Sequence, residues 1–313
     1  MKSRPFKQVD VFTATPYFGN PLAVVLDADG LDDAALQGFA RWTNLSETAF
    51  LLPPVDPSAD YRVRIFTPGG ELPFAGHPTL GSCHSWLEAG GQPKSKDVIV
   101  QECGVGLVSI RREPPGAGEP RLARLAFAAP PLKRSAIDPA QLAEVAAALG
   151  LNPQQILESQ RLDNGPVWLA LLLDSAETVL TLQPDHSALA QMDVKVGVAA
   201  IYPLVPAPAL IARANREARA FDSSSKVTPS AAADLEVRAF AASIGVNEDP
   251  VTGSLNASLA QWLMATGHLP ERYAASQGVC LGRAGQVALV RDAQGQVWVG
   301  GESVTCIDGR VML

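Results

Sequence analysis

Thiols are scarce in this 313-residue chain, and they are dispersed. The four cysteines, Cys83, Cys103, Cys280 and Cys306, form no C-x-x-C pair and join no His/Cys cluster. That pattern gives no zinc site, so no metal is expected and the thiols are expected to be reduced and mostly buried. Basic clusters are missing as well. With a formal charge of −7, the chain has no basic face for a nucleic-acid partner. No apolar run is long enough to span a bilayer, so no membrane partner is expected. The opening MKSRPFKQVDVF lacks the apolar centre of a signal peptide, so a cytoplasmic protein is expected. The glycine-rich stretches at 104–106 and 282–285 lack a strand–GxGxxG–helix context, which removes support for nucleotide binding.

What remains is ordinary globular material. Hydrophobic residues make up 47% of the chain and charged residues 18%, enough for a large core, and the length suggests about two domains. Short β-rich runs alternate with a few helices. Strands are predicted at 9–12, 22–26, 49–52, 61–66, 98–101, 106–111, 122–127, 167–173, 198–204, 237–240, 280–283, 287–291, 297–299 and 303–307. Helices are predicted at 32–42, 79–88, 139–149 and 255–266, the second and fourth apolar almost all round and therefore buried. Residues 207–219 allow either a strand or a short helix. The expectation is an α+β protein of two similar halves, residues 1–120 and 121–313, each a curved, mostly antiparallel sheet or barrel around one central helix. The C-terminal strand is a candidate to complete the first half.

One phrase occurs twice. Glu71-Leu72-Pro73-Phe74-Ala75-Gly76-His77-Pro78 runs on to Trp86 and Gly90, and Glu248-Asp249-Pro250-Val251-Thr252-Gly253-Ser254 runs on to Trp262 and Gly267. Val63-Arg64-Ile65-Phe66 precedes the first copy and Val237-Arg238-Ala239-Phe240 the second. Two equivalent helix starts predict a pseudo-twofold protein with one site shared between its halves. A helix N-terminus offers unpaired N–H groups and partial positive charge, so it suits a carboxylate. Gly76 and Gly253 would let backbone approach such a ligand. Glu71 and Glu248 are read as macrodipole stabilisers of the two starts, and Trp86 and Trp262 as core. The polar candidates are His77, Asp249, Thr252 and Ser254, with Glu47 in Asn44-Leu45-Ser46-Glu47-Thr48. A carboxylate and an imidazole aimed at one pocket suit proton transfer on carbon, and partial burial would raise the Glu47 pKa towards neutrality.

The stretch from Phe66 through Glu71, Gly76, His77 and Pro78 to Gly81 resembles the signature of the PhzF family of phenazine-biosynthesis isomerases. Glu248–Ser254, the Gly19-Asn20-Pro21-Leu22 turn, the Glu47 segment, Gly282-Arg283 and Gly300-Gly301 are similar to further family positions. The resemblance implies a diaminopimelate-epimerase-like fold and a cofactor-independent isomerase acting on a small cyclic or unsaturated carboxylic acid. It implies Glu47 as the proton-transfer residue, with Ser46, Gly76, His77, Asp249, Gly253 and Ser254 binding substrate. It also implies a homodimer. Related epimerases carry a cysteine at each helix start, where this chain has Ala75 and Thr252. Amino- or imino-acid epimerisation, and small-acid binding without turnover, are the alternatives. Leu255-Asn256 departs from the small residue usual after Ser254, so Leu255 could reshape the pocket or pack in the core.

Overall fold

The computed structural model describes residues 1–113, 124–203 and 233–313. Strand-forming runs near the N-terminus give β1 (Ser3–Val11) and β2 (Asn20–Val25). Helix α1 (Asp33–Thr43) follows. Asp32 caps it by accepting from the Ala35 N–H, and Leu36, Phe39 and Ala40 are its buried stripe. Asn44, in the left-handed conformation, ends it. Then come β3 (Thr48–Leu52), β4 (Tyr61–Phe66), the short β5 (Glu71–Leu72) and α2 (Gly76–Glu88). Strands β6 (Val98–Cys103), β7 (Gly106–Glu113) and β8 (Arg124–Ala128) follow.

The second series opens with β9 (Lys133–Ser135) and α3 (Pro139–Leu149). Asp138 caps α3, Pro139 sits in its first turn and Gly150 closes it. It continues through β10 (Ile156–Asp163), β11 (Val167–Leu173), α4 (Ala176–Thr181), α5 (His186–Gln191), β12 (Val196–Ile201) and β13 (Leu235–Ala241). The last elements are β14 (Val246–Asp249), α6 (Gly253–Ala265), β15 (Arg272–Gln277), β16 (Gly285–Arg291), β17 (Val297–Gly301) and β18 (Ser303–Met312).

The pairings repeat element by element. β1–β2, β3–β4 and β4–β5 are antiparallel, while β2–β3 and β4–β6 are parallel. In the second series β10–β11, β12–β13 and β13–β14 are antiparallel, while β11–β12 and β13–β15 are parallel. Helix α2 follows β5 as α6 follows β14. The outermost strands cross over in sequence. β18 pairs along β1, β9 pairs with β10, and β8 joins β17. The fold is therefore α+β, with one large curved sheet wrapped around two central helices.

Both central helices are sequestered. α2 packs against β1, β2, β3, β6, β8 and β18, and α6 against β10, β16 and β17. Leu80 and Cys83 of α2 and Leu255, Leu259 and Leu263 of α6 have no solvent exposure and belong to one core cluster. Each such leucine contributes about 1.5–3 kcal/mol of burial. Leu255 packs here, against Gly197 of β12, which settles its role as core. Trp262 is in the same core, and Trp86 stacks on Tyr61 at 5.2 Å.

Three differences from the sequence reading have physical reasons. Residues 280–283 are not a strand. Val279–Leu281 is a 3₁₀ turn bracketed by Gly278 and Gly282, whose φ values of 99° and 69° break an extended backbone. Strands β10 and β15 were missed because neither alternates cleanly; β10 reads Ile-Leu-Glu-Ser-Gln-Arg-Leu-Asp and buries only Leu162 fully. The cysteines are all free thiols, but only Cys83 is buried, while Cys280 is exposed. Residues 207–219, the ends of two predicted strands at 122–123 and at 204, and part of the predicted boundary between the halves lie outside the described residues. Among the described residues, no helix is long and apolar enough to cross a membrane.

Candidate active site

The two repeated helix starts touch. A Cβ built on Gly76 would lie 3.1 Å from the Gly253 Cα and 2.7 Å from the Phe127 ring, and one built on Gly253 would lie 3.1 Å from the Gly76 Cα. The glycines therefore serve first to let α2 and α6 meet end to end, rather than only to admit a ligand to backbone. Neither helix has a side chain capping its first turn, and neither has an acidic residue there. Two uncapped, positively polarised ends converge on one point.

Glu71 and Glu248 do not serve those ends. Each is locked in a bidentate pair with the arginine of the preceding strand. Arg64 Nε and Nη2 donate to Glu71 at 2.7 and 2.6 Å, and Arg238 Nε and Nη2 donate to Glu248 at 2.9 and 2.9 Å. Each guanidinium also lies over the phenylalanine two residues on, at 5.1 Å for Phe66 and 5.0 Å for Phe240. The repeated Arg-x-Phe…Glu is a pair of structural clamps, which replaces the macrodipole reading.

Glu47 arrives from a third direction. The left-handed Asn44 turns the chain out of α1, and Glu47 immediately precedes β3. Its Oε2 lies 3.3 Å from Nε2 of His77, which α2 holds in its first turn. The side chains are 16% and 6% exposed, and neither of those two atoms makes a hydrogen bond. The Asn20 Oδ1 atom is also buried without a partner. Unsatisfied polar atoms so close together are costly in a folded protein unless water or a ligand completes them.

On the opposite side stands Asp249. Its Oδ1 accepts from Asn20 Nδ2 at 2.8 Å and its Oδ2 from Thr252 Oγ1 at 2.6 Å. Gln277 braces this loop, donating to the Asp249 carbonyl and to Thr252 Oγ1 and accepting from the Thr252 N–H. Asn256, the second residue of the unusual Leu255-Asn256 pair, donates to the same Gln277 at 2.8 Å. Ser254 is held from behind. Trp168 Nε1 donates to its Oγ at 3.1 Å, and Asn164 donates to its carbonyl at 2.9 Å.

The electrostatics follow from burial. Burial pushes the Glu47 carboxyl up, against the pull of the Ser46 hydroxyl and the Lys195 ammonium. Asp249 is raised to about 6, chiefly by burial, with the His77 ring opposing this and the Glu47 charge adding to it. His77 is lowered to about 4 by burial, against the attraction of Asp249. At neutral pH the site thus holds a neutral imidazole between two carboxylates that ionise reluctantly.

The structure brings Glu47, His77, Gly76, Asp249 and Gly253 together, with Ser46 and Ser254 at the margins. Sequence reasoning missed Asn20, Gln277, Trp168 and Lys195 as members. Asn20 had a signal, lying in a Gly-Asn-Pro turn. Lys195 had none until the fold was laid out: it immediately precedes β12 as Glu47 immediately precedes β3, so it is the pseudo-twofold counterpart of Glu47. Cys83 is not a displaced catalytic thiol. It has no exposure inside α2, and burial pushes its thiol up to about 12. Among the described residues no group of His, Cys, Asp and Glu could hold a metal ion. A cavity of about 400 Å³ opens elsewhere, beside Phe12, Thr15 and Gln286, and none of Glu47, His77, Asp249 and Ser254 lines it.

Residues 9–309 match the phenazine biosynthesis-like protein family, PhzC-PhzF. The chain belongs to this family. Antisense-enhancing sequence 1 of Schizosaccharomyces pombe is 34% identical over 322 residues, covering 99% of each chain. The trans-2,3-dihydro-3-hydroxyanthranilate isomerase of Pseudomonas aeruginosa is 32% identical, covering 97% of this chain and 98% of that one. The crystal structure of a PhzF-family protein from Bacillus anthracis superposes with a TM-score of 0.79 over 100% of both chains at 21% identity. A probable proline racemase from Agrobacterium radiobacter shares the fold more distantly, with a TM-score of 0.60 at 14% identity over 99% of this chain and 93% of that one. The PhzF family and the racemase fold agree with the two-helix architecture above.

Proposed function

We propose that this protein is a cofactor-independent isomerase that moves a proton between carbons of a small cyclic or unsaturated carboxylic acid. Family membership and the named isomerase among its relatives make it an isomerase. The observation that carries the finer reading is the buried, unbonded pair of Glu47 Oε2 and His77 Nε2, 3.3 Å apart beside two uncapped helix ends.

The substrate carboxylate binds at the convergent N–H groups of α2 and α6. Glu47, as carboxylate, takes a proton from carbon. The C–H electron pair moves into the adjacent π system and the double bond shifts. Glu47, now a carboxylic acid whose proton exchanges with solvent, gives a proton to the carbon at the far end. No electrons are gained or lost, and the base is regenerated. His77 and Asp249 orient polar substituents, and burial raises the Glu47 carboxyl above its ordinary value, which favours return of the proton it has taken.

The acid named for the Pseudomonas aeruginosa relative, trans-2,3-dihydro-3-hydroxyanthranilate, fits this chemistry: it has a carboxylate, a conjugated ring and polar substituents. Epimerisation by paired thiols is a poorer fit, because Ala75 and Thr252 occupy the two helix starts. The test is turnover in D2O with that acid and a panel of small unsaturated acids, followed by NMR. The expected result is a shifted double bond with deuterium on the carbon that receives the proton. Deuterium at one unchanged stereocentre, with no double-bond shift, would replace isomerisation by epimerisation.

A further inference from the structure

We infer that Asn20 is a positioning residue that fixes His77 as the Nε2–H tautomer, so that His77 acts as a hydrogen-bond donor and Glu47 alone is the base. This deepens the proposed function and rests on it only for its activity readout.

The orientation of the Asn20 amide is fixed by its neighbours. Its Nδ2 lies 2.8 Å from Asp249 Oδ1, an acceptor as carboxylate, and 2.8 Å from the Val251 carbonyl, which can only accept. The NH2 group must therefore face this side, and Asn20 is fully buried there. The same NH2 lies 3.3 Å from Nδ1 of His77. A proton on Nδ1 would point at another donor, so Nδ1 presents its lone pair. The neutral ring then carries its proton on Nε2, the atom 3.3 Å from Glu47. An imidazolium would have to place an N–H against the amide hydrogens, so Asn20 opposes protonation in the same sense as burial.

The consequence is a division of labour. His77 can give a hydrogen bond from Nε2 to substrate or to Glu47, but it has no lone pair there with which to take a proton from carbon. Asp249 has Oδ1 engaged by Asn20 and Oδ2 by Thr252. Glu47 Oε2 is the one carboxylate oxygen among these three residues that is buried and unengaged. Asn20 comes from β2 and its acceptors from the end of β14 and the loop before α6, so this one amide also ties the two halves together at the site.

The test is long-range 1H–15N correlation NMR of the full-length, 15N-labelled protein. The chain has four histidines, and the His77→Gln spectrum identifies the His77 signals. The expected result is an unprotonated Nδ1 and a protonated Nε2 from about pH 5 to 8. A protonated Nδ1 in the wild type overturns the inference directly, whatever the enzyme turns over. Asn20→Asp, whose carboxylate can accept from Nδ1–H, should move the proton to Nδ1 and slow proton transfer by about 10²-fold or more. Asn20→Ala should give a tautomer mixture, and Asn20→Ser, which keeps a donor, should recover part of the Nε2–H form. Folded variants that leave His77 wholly as Nε2–H remove Asn20 from this role.

Discussion

The two copies of the repeat differ most where they look most alike. Both place an arginine, a phenylalanine and a glutamate in one clamp, but the clamps sit in different solvents. The side chains of Arg64 and Glu71 are 26% and 40% exposed, whereas those of Arg238 and Glu248 are each 6% exposed. Arg64 spends its remaining donor on Asp33 at the start of α1, and Arg238 on the Val179 and Leu182 carbonyls of α4 and its end. The repeated residues hold the scaffold, and the proposed chemistry rests on positions the repeat does not share. Leu72 corresponds to Asp249, Ala75 to Thr252, His77 to Ser254 and Glu47 to Lys195. A symmetric scaffold thereby presents an acid–base group on one side and a cation on the other.

The largest expected difference between the copies is in stability. Arg238→Ala leaves Glu248 buried and unpaired and should cost about 3–5 kcal/mol. Arg64→Ala leaves Glu71 in water and should cost about 1 kcal/mol or less. Urea titrations of both variants measure this, and equal losses would show that burial does not separate the clamps. Next comes the contact between the helix starts. Gly76→Ala meets both the Phe127 ring and the Gly253 backbone and should cost about 1–3 kcal/mol, more than Gly253→Ala. The reverse order in thermal melts would place the tighter packing on the second copy.

Smaller effects concern ionisation. Asp249 is raised from the ordinary 3.8 to about 6, so its favourable contribution to folding is complete below about pH 4 and is lost as pH rises through about 6. Asp249→Asn should therefore gain stability relative to wild type as pH rises across that window. A gain that is the same at pH 4 and pH 7 would contradict the raised pKa. The smallest effect is expected at Lys195. Its ammonium pulls Glu47 down, so Lys195→Met should move the acid limb of the rate profile to higher pH. An unmoved limb would separate Lys195 from Glu47.

Much of the fold was legible because its signals are local. Asp32, Pro139 and Gly150 mark helix ends, and the repeat announced the duplication. The polar strands β10 and β15 were not, because tertiary pairing rather than an apolar pattern makes them strands. Within the candidate site, the residues whose type carries chemistry, Glu47, His77 and Asp249, were legible as candidates. Asn20 and Gln277 were not, since an amide reveals its role only once its partners are placed. Lys195 needed the topology itself, which alone sets it opposite Glu47. The repeated glycines were read as openings for ligand, and the structure gives them a prior duty, the contact between α2 and α6.

The asymmetry is tested most directly by comparing carbon–deuterium exchange in D2O for Glu47→Gln and Lys195→Met, with the acid that the wild type isomerises. Glu47→Gln should stay folded and bind that acid while exchange falls by at least about 10²-fold, and Lys195→Met should retain exchange at its own optimal pH. Exchange that survives in Glu47→Gln, or disappears only in Lys195→Met, would contradict the assignment of proton transfer to Glu47.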